Sequence, residues 1–386
     1  MLILGTTLAL LVSGSLMLWK RWCLAGVTYE RHLSEHRAVF GQEVGLSVEL
    51  LNLKPLPLTW LQVEDTFPRS LVFEGGYVRP GRSELFRYFT MVVAMLPYER
   101  IVRKLVVKCN RRGEHVFGPT SLESGDYLGA LVNYGSIRAI DHLLVLPKIM
   151  RLAIGGMKSN QILGRDAVRR LFMADPIRIV GARDYTPGDP YRLIDWRASA
   201  RVGNLMVRLI EPSTTPAVDI LIDFAVPTRA NKNFEPDELE FAISIAASLV
   251  TYAIEQRWSV GLGGNGTSMK LPLTLPPSRA PDRLGAMLEV LSHASVVPNG
   301  SFVEAVVRHH AESPTGTTFV VVTMNLVSTL AALGDLSRRG RPVTVIQIVA
   351  GTEDVTALRW AAGPIPIWQA SYDTHWTERE TLVLNA

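Results

Sequence analysis

The residues best placed to do chemistry lie in one stretch, RDYTPGDPYRLIDWRASAR, from Arg183 to Arg201. It holds four arginines, three aspartates, two tyrosines, a tryptophan and a Pro-Gly turn in nineteen residues. Thr186-Pro187-Gly188-Asp189 has the chemistry of a tight turn, with Pro187 and Gly188 suited to its centre. Asp189-Pro190 reads as a helix start. A short helical turn follows through Asp195 and Trp196, and Leu205–Pro212 reads as a strand. Three roles suit such a segment. Arg183, Arg192, Arg197 and Arg201 can pair with Asp184, Asp189 and Asp195 as a structural clasp, because guanidinium forks hold carboxylates bidentately. Arg, Trp and Tyr are also the residues enriched at the centres of protein interfaces, so Tyr185, Arg192, Trp196 and Arg201 can meet a partner. Catalysis is the third role, but the stretch contains no nucleophile–base pair.

Other chemistry is thinner. Asp223 closes an apolar strand, and ligands of open α/β sheets gather at such strand ends. A Mg²⁺ site there needs further hard oxygens. The alternate positions Ala225 and Pro227 cannot ligate, and the strand Thr317–Met324 runs into Asn325, so Asp223 is a weak metal candidate and no cofactor is expected. Gly261-Leu-Gly-Gly-Asn-Gly266 has the spacing of a dinucleotide loop, but TSMKLPLTLPP follows where a helix must begin. Asn265-Gly266 reads instead as a hairpin turn between two strands. The histidines, His309-His310 included, show no zinc-type spacing, and there is no phosphate-binding loop ending in Gly-Lys-Ser/Thr. Cys23 and Cys109 form neither a metal pair nor a disulfide framework.

The elements that must position these residues divide the chain of 386 residues into several units. Leu2–Trp19 is a run of 18 residues without a charge. As a helix it reaches roughly 27 Å, about the hydrocarbon thickness of a bilayer. With Lys20, Arg21, Arg31 and Arg37 all following it, residues 1–24 read as a transmembrane anchor that leaves the bulk of the chain in the cytoplasm. Residues 27–150 carry short β-branched and aromatic runs separated by turn signals, the pattern of an antiparallel, immunoglobulin-like sandwich. Residues 151–180 read as a linker. From 181 to 386, apolar strands (Ala217–Ala225, Thr317–Met324, Pro342–Ala350) alternate with helices (Pro236–Arg257, Arg279–Leu291, Ser301–Ala311, Leu326–Arg339), which implies a parallel sheet covered on both faces. A formal charge of +4 gives no concentrated basic face, so nucleic acid is not an expected partner.

The run from Arg183 to Arg201, continuing through Gly203-Asn-Leu205-Met-Val207, resembles the signature of bacterial proteins of domain of unknown function family 58. Arg112-Gly113-Glu-His-Val-Phe-Gly118-Pro119 and Asp126-Tyr-Leu-Gly129 resemble the region preceding that signature. The resemblance implies an N-terminal membrane anchor, a β-sandwich and a von Willebrand factor A-like domain. It also implies a non-enzymatic adaptor working beside a MoxR-type AAA+ ATPase at the cytoplasmic membrane, with the 183–201 stretch as clasp or partner surface. Only one anchor helix is visible where family members often have two, and the metal site of A-type domains is eroded at Ala225, Pro227 and Asn325.

Overall fold

The structure is a computed structural model of the chain. It describes residues 6–7, 14, 17, 19, 22–81, 86–125, 131–154, 177–187, 189, 191–212, 216–225, 236–269, 271–295, 297–350 and 365–385. The chain forms two compact units, Met1–Pro147 and Lys148–Ala386.

The first unit contains twelve described strands: β1 (Val27–Leu33), β2 (Arg37–Ala38), β3 (Glu43–Asn52), β4 (Leu58–Pro68), β5 (Val72–Glu74), β6 (Val78–Pro80), β7 (Phe86–Met95), β8 (Arg100–Lys108), β9 (Gly113–Phe117), β10 (Thr120–Gly125), β11 (Val132–Ile137) and β12 (Asp141–Val145). They assemble into sheets ordered β1-β3-β8-β5, β11-β10-β4-β7-β6 and β2-β12-β9. Alternation drives the assembly. Val44, Leu46, Val48 and Leu50 of β3 are buried while the residues between them are more exposed. Leu61, Val63 and Phe67 of β4 do the same from the other sheet, and all join one core with Phe89, Leu105 and Phe117.

Two charged residues break this pattern on the buried side. Arg31 and Asp65 occupy inward positions of β1 and β4, and both side chains are fully buried. Arg31 forks onto Asp65, Nε to Oδ2 at 3.1 Å and Nη2 to Oδ1 at 3.0 Å. The Tyr29 hydroxyl donates to Oδ2 and the Thr120 hydroxyl to Oδ1 at 2.9 Å. Arg31 also donates to the Ala139 carbonyl and lies 3.3 Å from Asp141. Burial raises the Asp65 pKa, against the opposite pull of Arg31 and the two hydroxyls.

The anchor and the membrane localisation expected from the N-terminus are corrected here. Among the described residues no helix is long and apolar enough to cross a membrane. Most of residues 1–21 lie outside the described set. The described end of that segment belongs to the β unit: Cys23 is buried in its core, Trp19 and Leu24 pack against it, and Lys54 Nζ donates to the carbonyls of Cys23 and Ala25. Arg31, counted among the flanking cations, is the buried partner of Asp65.

The second unit contains β13 (Arg151–Ile154), β14 (Ile177–Asp184), α1 (Trp196–Val202), β15 (Met206–Pro212), β16 (Ala217–Ile222), α2 (Pro236–Glu255), β17 (Ser259–Ser268), β18 (Leu271–Ser278), α3 (Arg283–Ser292), α4 (Phe302–Glu312), β19 (Thr318–Thr323), α5 (Leu326–Arg338), β20 (Val343–Ala350), β21 (Ile367–Tyr372) and β22 (Thr381–Asn385). Eight strands form one sheet in the order β13-β22-β21-β20-β19-β16-β17-β18. The expected parallel, von Willebrand-type sheet is not what forms, and among the described residues strand predominates and helices are few. The sheet is mixed: β17, β16, β19, β20 and β21 run parallel, while β18 is antiparallel to β17 and β22 to β21. Connection length decides this. A parallel return needs a crossover of about a dozen residues or more, and the links after β17 and β21 are shorter than that. The second link holds only a 3-10 turn at Trp376–Glu378.

Candidate functional site

The stretch singled out from the sequence builds a separate two-stranded sheet. β14 and β15 pair antiparallel, Arg183 opposite Val207 and Asp184 opposite Met206. Neither strand joins the eight-stranded sheet. The chain between them is folded by its own polar side chains. Asp189 closes the first turn: its Oδ2 accepts from the Thr186 amide at 3.0 Å and the Thr186 hydroxyl at 2.9 Å. Arg183 clamps the same carboxylate with both terminal nitrogens, at 2.8 and 2.7 Å. That guanidinium, then the Thr186 donors, hold the Asp189 carboxyl well below the usual carboxylate range.

A 3-10 turn at Tyr191–Leu193 leads to Ile194, which bridges to Val207, and both of these are buried. Asp195 then caps α1. Its Oδ1 accepts the amides of Arg197 and Ala198, each at 3.1 Å, and its Oδ2 lies 3.6 Å from Arg208. The backbone amide of Ala198 is the largest cause of the lowered Asp195 pKa. The Ser199 hydroxyl donates to the Asp195 carbonyl at 2.7 Å and accepts from the Met206 amide at 2.8 Å, which fastens the helix to β15. Gly203 ends the helix with φ +80°, a left-handed conformation that glycine adopts without a Cβ penalty.

The structure therefore uses Arg183, Asp189 and Asp195 to fold the hairpin upon itself. The aromatic residues are used differently. Tyr185 and Tyr191 stack with centroids 6.3 Å apart, but Tyr191 remains 77% exposed. Trp196 is 67% exposed, and no residue of α1 is buried. Pro187 and Arg201 are exposed as well. Gly188 lies outside the described residues. Arg192 sits in the 3-10 turn, and its side chain is not among those described. Residues 177–212 contain no histidine, cysteine or lysine, and the Ser199 hydroxyl is taken up by two backbone groups, the Asp195 carbonyl and the Met206 amide.

Asp223 occupies the strand end expected of it but is fully buried and already occupied. Its Oδ1 accepts from the Ala225 amide at 2.9 Å and from Asn265 Nδ2 at 3.2 Å, and its Oδ2 accepts from the Thr323 hydroxyl at 3.1 Å. All three donors are neutral, and burial is the main cause raising its pKa. Among the described residues no group of three or more His, Cys, Asp or Glu side chains is placed to hold a metal ion.

A group whose folded pKa is raised contributes most at low pH and loses that contribution as pH rises through the folded value. Asp223→Asn keeps an oxygen for both amide donors and turns an NH₂ toward Thr323. We expect it to raise Tm by a few degrees, roughly, at pH 7.5 and to have no effect below about pH 4. Thermal unfolding at the two pH values checks this. A loss of stability at pH 7.5 would show that the carboxylate charge is needed there.

Sequence reasoning placed Asn265-Gly266 in a hairpin turn. The structure corrects this: β17 runs through both residues, and the chain turns afterwards, at Met269 with φ +50°. Asn265 fixes the end of β16 by accepting from the Phe224 amide at 2.8 Å. A second buried polar group, missed in the sequence, lies under the same strand. The Ser313 hydroxyl donates to Asp219 Oδ2 at 2.6 Å, and His309 Nδ1 lies 3.3 Å from that oxygen. The serine contacts the carboxylate rather than the imidazole, and His309 is 1% exposed, so this cluster is not arranged as a nucleophile–base relay. Its signal was the Gly-rich strand: a Cβ at Gly263 would fall 1.9 Å from His309 Nε2.

Comparison with known proteins places the hairpin and the strands that follow it. Residues 181–358 match the family described as "Protein of unknown function DUF58". Through that region the chain belongs to the DUF58 family. A relative from Bacillus subtilis (strain 168), "Uncharacterized protein YeaD", is 25% identical over 236 residues, 61% of this chain. The match spans about half, 55%, of that protein's own length. Among solved structures, the CARDB domain of a Pyrococcus furiosus protein has 14% identity over 31% of this chain and 91% of its own, with a TM-score of 0.20. A cohesin module from a Clostridium perfringens family 33 glycoside hydrolase has 8% identity over 31% of this chain and 97% of its own, with a TM-score of 0.22. Likeness at those scores carries no argument about fold or function.

Proposed function

We propose that the chain is a non-enzymatic adaptor whose 177–212 hairpin docks a protein partner. A MoxR-type AAA+ ATPase is the first partner to test. The observation that carries this reading is the division of labour within the hairpin. Asp189, Asp195 and Arg183 are consumed in holding the loop, while Trp196 and Tyr191 point their area at solvent. A rigid support presenting exposed aromatic residues matches the make-up of interface hot spots. Rigidity matters because side chains held in place beforehand lose less entropy on binding.

The test separates folding from docking. Trp196→Ala removes an exposed side chain and is expected to leave stability within about 0.5 kcal/mol of the parent. Loss of a hot-spot tryptophan is expected to weaken association with the purified ATPase by about 30-fold. Asp195→Ala is the contrasting variant, since it takes away the α1 cap and lowers the stability of the hairpin. Calorimetric titration and thermal unfolding of both variants read the two effects. If Trp196→Ala unfolds the hairpin, or binds the ATPase like the parent, the docking reading is wrong.

A further inference from the structure

We infer that the surface met by α1 is acidic protein. This rests on the docking reading and adds the chemistry of the partner. Four arginines of the hairpin have described side chains. Two are neutralised within it: Arg183 by Asp189 at 2.7 Å, and Arg208 by Asp195 at 3.6 Å. Arg197 and Arg201 are both exposed, and among the described residues neither has an ion-pair or hydrogen-bond partner for its guanidinium. They stand four residues apart and so share one stripe of the helix, beside a second stripe made by Trp196 and Ala200. The exposed acid left over in the hairpin, Asp184, lies on β14 and not on the helix.

The position of Arg197 argues against a purely local role. It sits in the first turn of α1, where the helix carries partial positive charge and a cation is unfavourable. Arg201, in the last turn, is favourably placed for the helix itself. Arg197 and Arg201 thus present two exposed guanidinium groups beside an exposed tryptophan, a surface complementary to acidic groups. Carboxylates on a partner match it by bidentate pairing with both guanidinium groups, while the tryptophan supplies apolar contact. Such contacts make association dependent on ionic strength, because salt screens charges at the rim of an interface.

The experiment uses the full chain and a purified MoxR-type AAA+ ATPase encoded in the same genome, titrated at 50 and 300 mM NaCl, roughly spanning the range over which screening acts. Phosphatidylglycerol vesicles form a parallel arm. We expect Arg197→Glu/Arg201→Glu to weaken ATPase binding by about tenfold or more, with an unchanged Tm. Arg197→Lys/Arg201→Lys keeps the charge and should stay within about threefold of the parent. Raising the salt should weaken parental binding by about tenfold and the charge-reversed variant much less. If Trp196→Ala weakens binding but charge reversal and salt do not, docking stands and the acidic partner is refuted. If no variant changes binding, or no complex forms, both readings fall together. If charge reversal abolishes vesicle binding and spares the ATPase, the two arginines serve anionic lipid and the inference is overturned.

Discussion

Arg31→Met is expected to destabilise the first unit by about 3–5 kcal/mol, the cost of stripping one partner from a buried ion pair. The carboxylate left behind explains the size. Asp65 is fully buried, and two of its contacts come from the Arg31 fork. Without Arg31 it keeps only the hydroxyls of Tyr29 and Thr120, both neutral donors. Methionine fills much of the arginine volume, so the loss reports charge more than cavity. The double variant Arg31→Met/Asp65→Leu removes both charges and should recover most of the stability. Two units need not unfold together, so hydrogen exchange of peptides from residues 27–145 is the measurement to use. A single variant that exchanges like the parent, or a double variant no better than the single, would show that the pair is not what closes this core.

That pair could have been read from the sequence by its phase. β1 alternates, and Val27, Tyr29, Arg31 and Leu33 share one side. β4 places Asp65 in step with Leu61, Val63 and Phe67. An arginine and an aspartate each sitting at an inward position demand one another, though they are 34 residues apart. Counting Arg31 as a flank of a membrane span hid this. The uncharged run before it supplied length and hydropathy, which cannot distinguish a span from a segment whose end packs on a β core, as Trp19, Cys23 and Leu24 do.

The α/β half was more legible in its parts than in their arrangement. The apolar runs at 217–222, 318–323 and 343–350 are strands, and the periodic segments between them are helices. Periodicity fixes the kind of element but not the direction in which a strand enters a sheet. Direction came from connection lengths around β18 and β22; the turn before β18 was expected at Asn265-Gly266 and lies at Met269, and no strand was expected at β22. The hairpin of residues 177–212 was legible in its turn, because Thr186–Asp189 act on neighbours within a few residues, but the helix start expected at Asp189-Pro190 is corrected: Asp189 closes the turn and Asp195 caps the helix. Which of its side chains face solvent was not legible, since that depends on what the rest of the unit leaves uncovered.

Gly264→Ala is expected to cost about 3 kcal/mol, at the upper end of the usual range for over-packing a closed core. The obstacle is backbone. A Cβ at residue 264 would lie 2.3 Å from the Ile222 carbonyl oxygen, and no rotamer change relieves that. The strands must part where Ile222 pairs with Gly264, one residue before both Asp223 and Asn265. Separation there strains the Asn265–Asp223 contact of 3.2 Å and the Phe224–Asn265 bond of 2.8 Å. The neighbouring Gly263→Ala differs in kind, since its obstacle is a side chain, the buried His309 ring, which must move rather than the strand pair. Gly285→Ala is the opposite control. It lies exposed in α3 with nothing within 4 Å of its added Cβ, so helix propensity alone acts and should stabilise by about 1 kcal/mol. Thermal unfolding of the three variants, with hydrogen exchange of the 216–225 and 259–268 peptides, orders them. If Gly264→Ala melts with the parent, β16 and β17 part freely at their C-terminal ends, and Asp223 is held by Thr323 and its own turn rather than by Asn265.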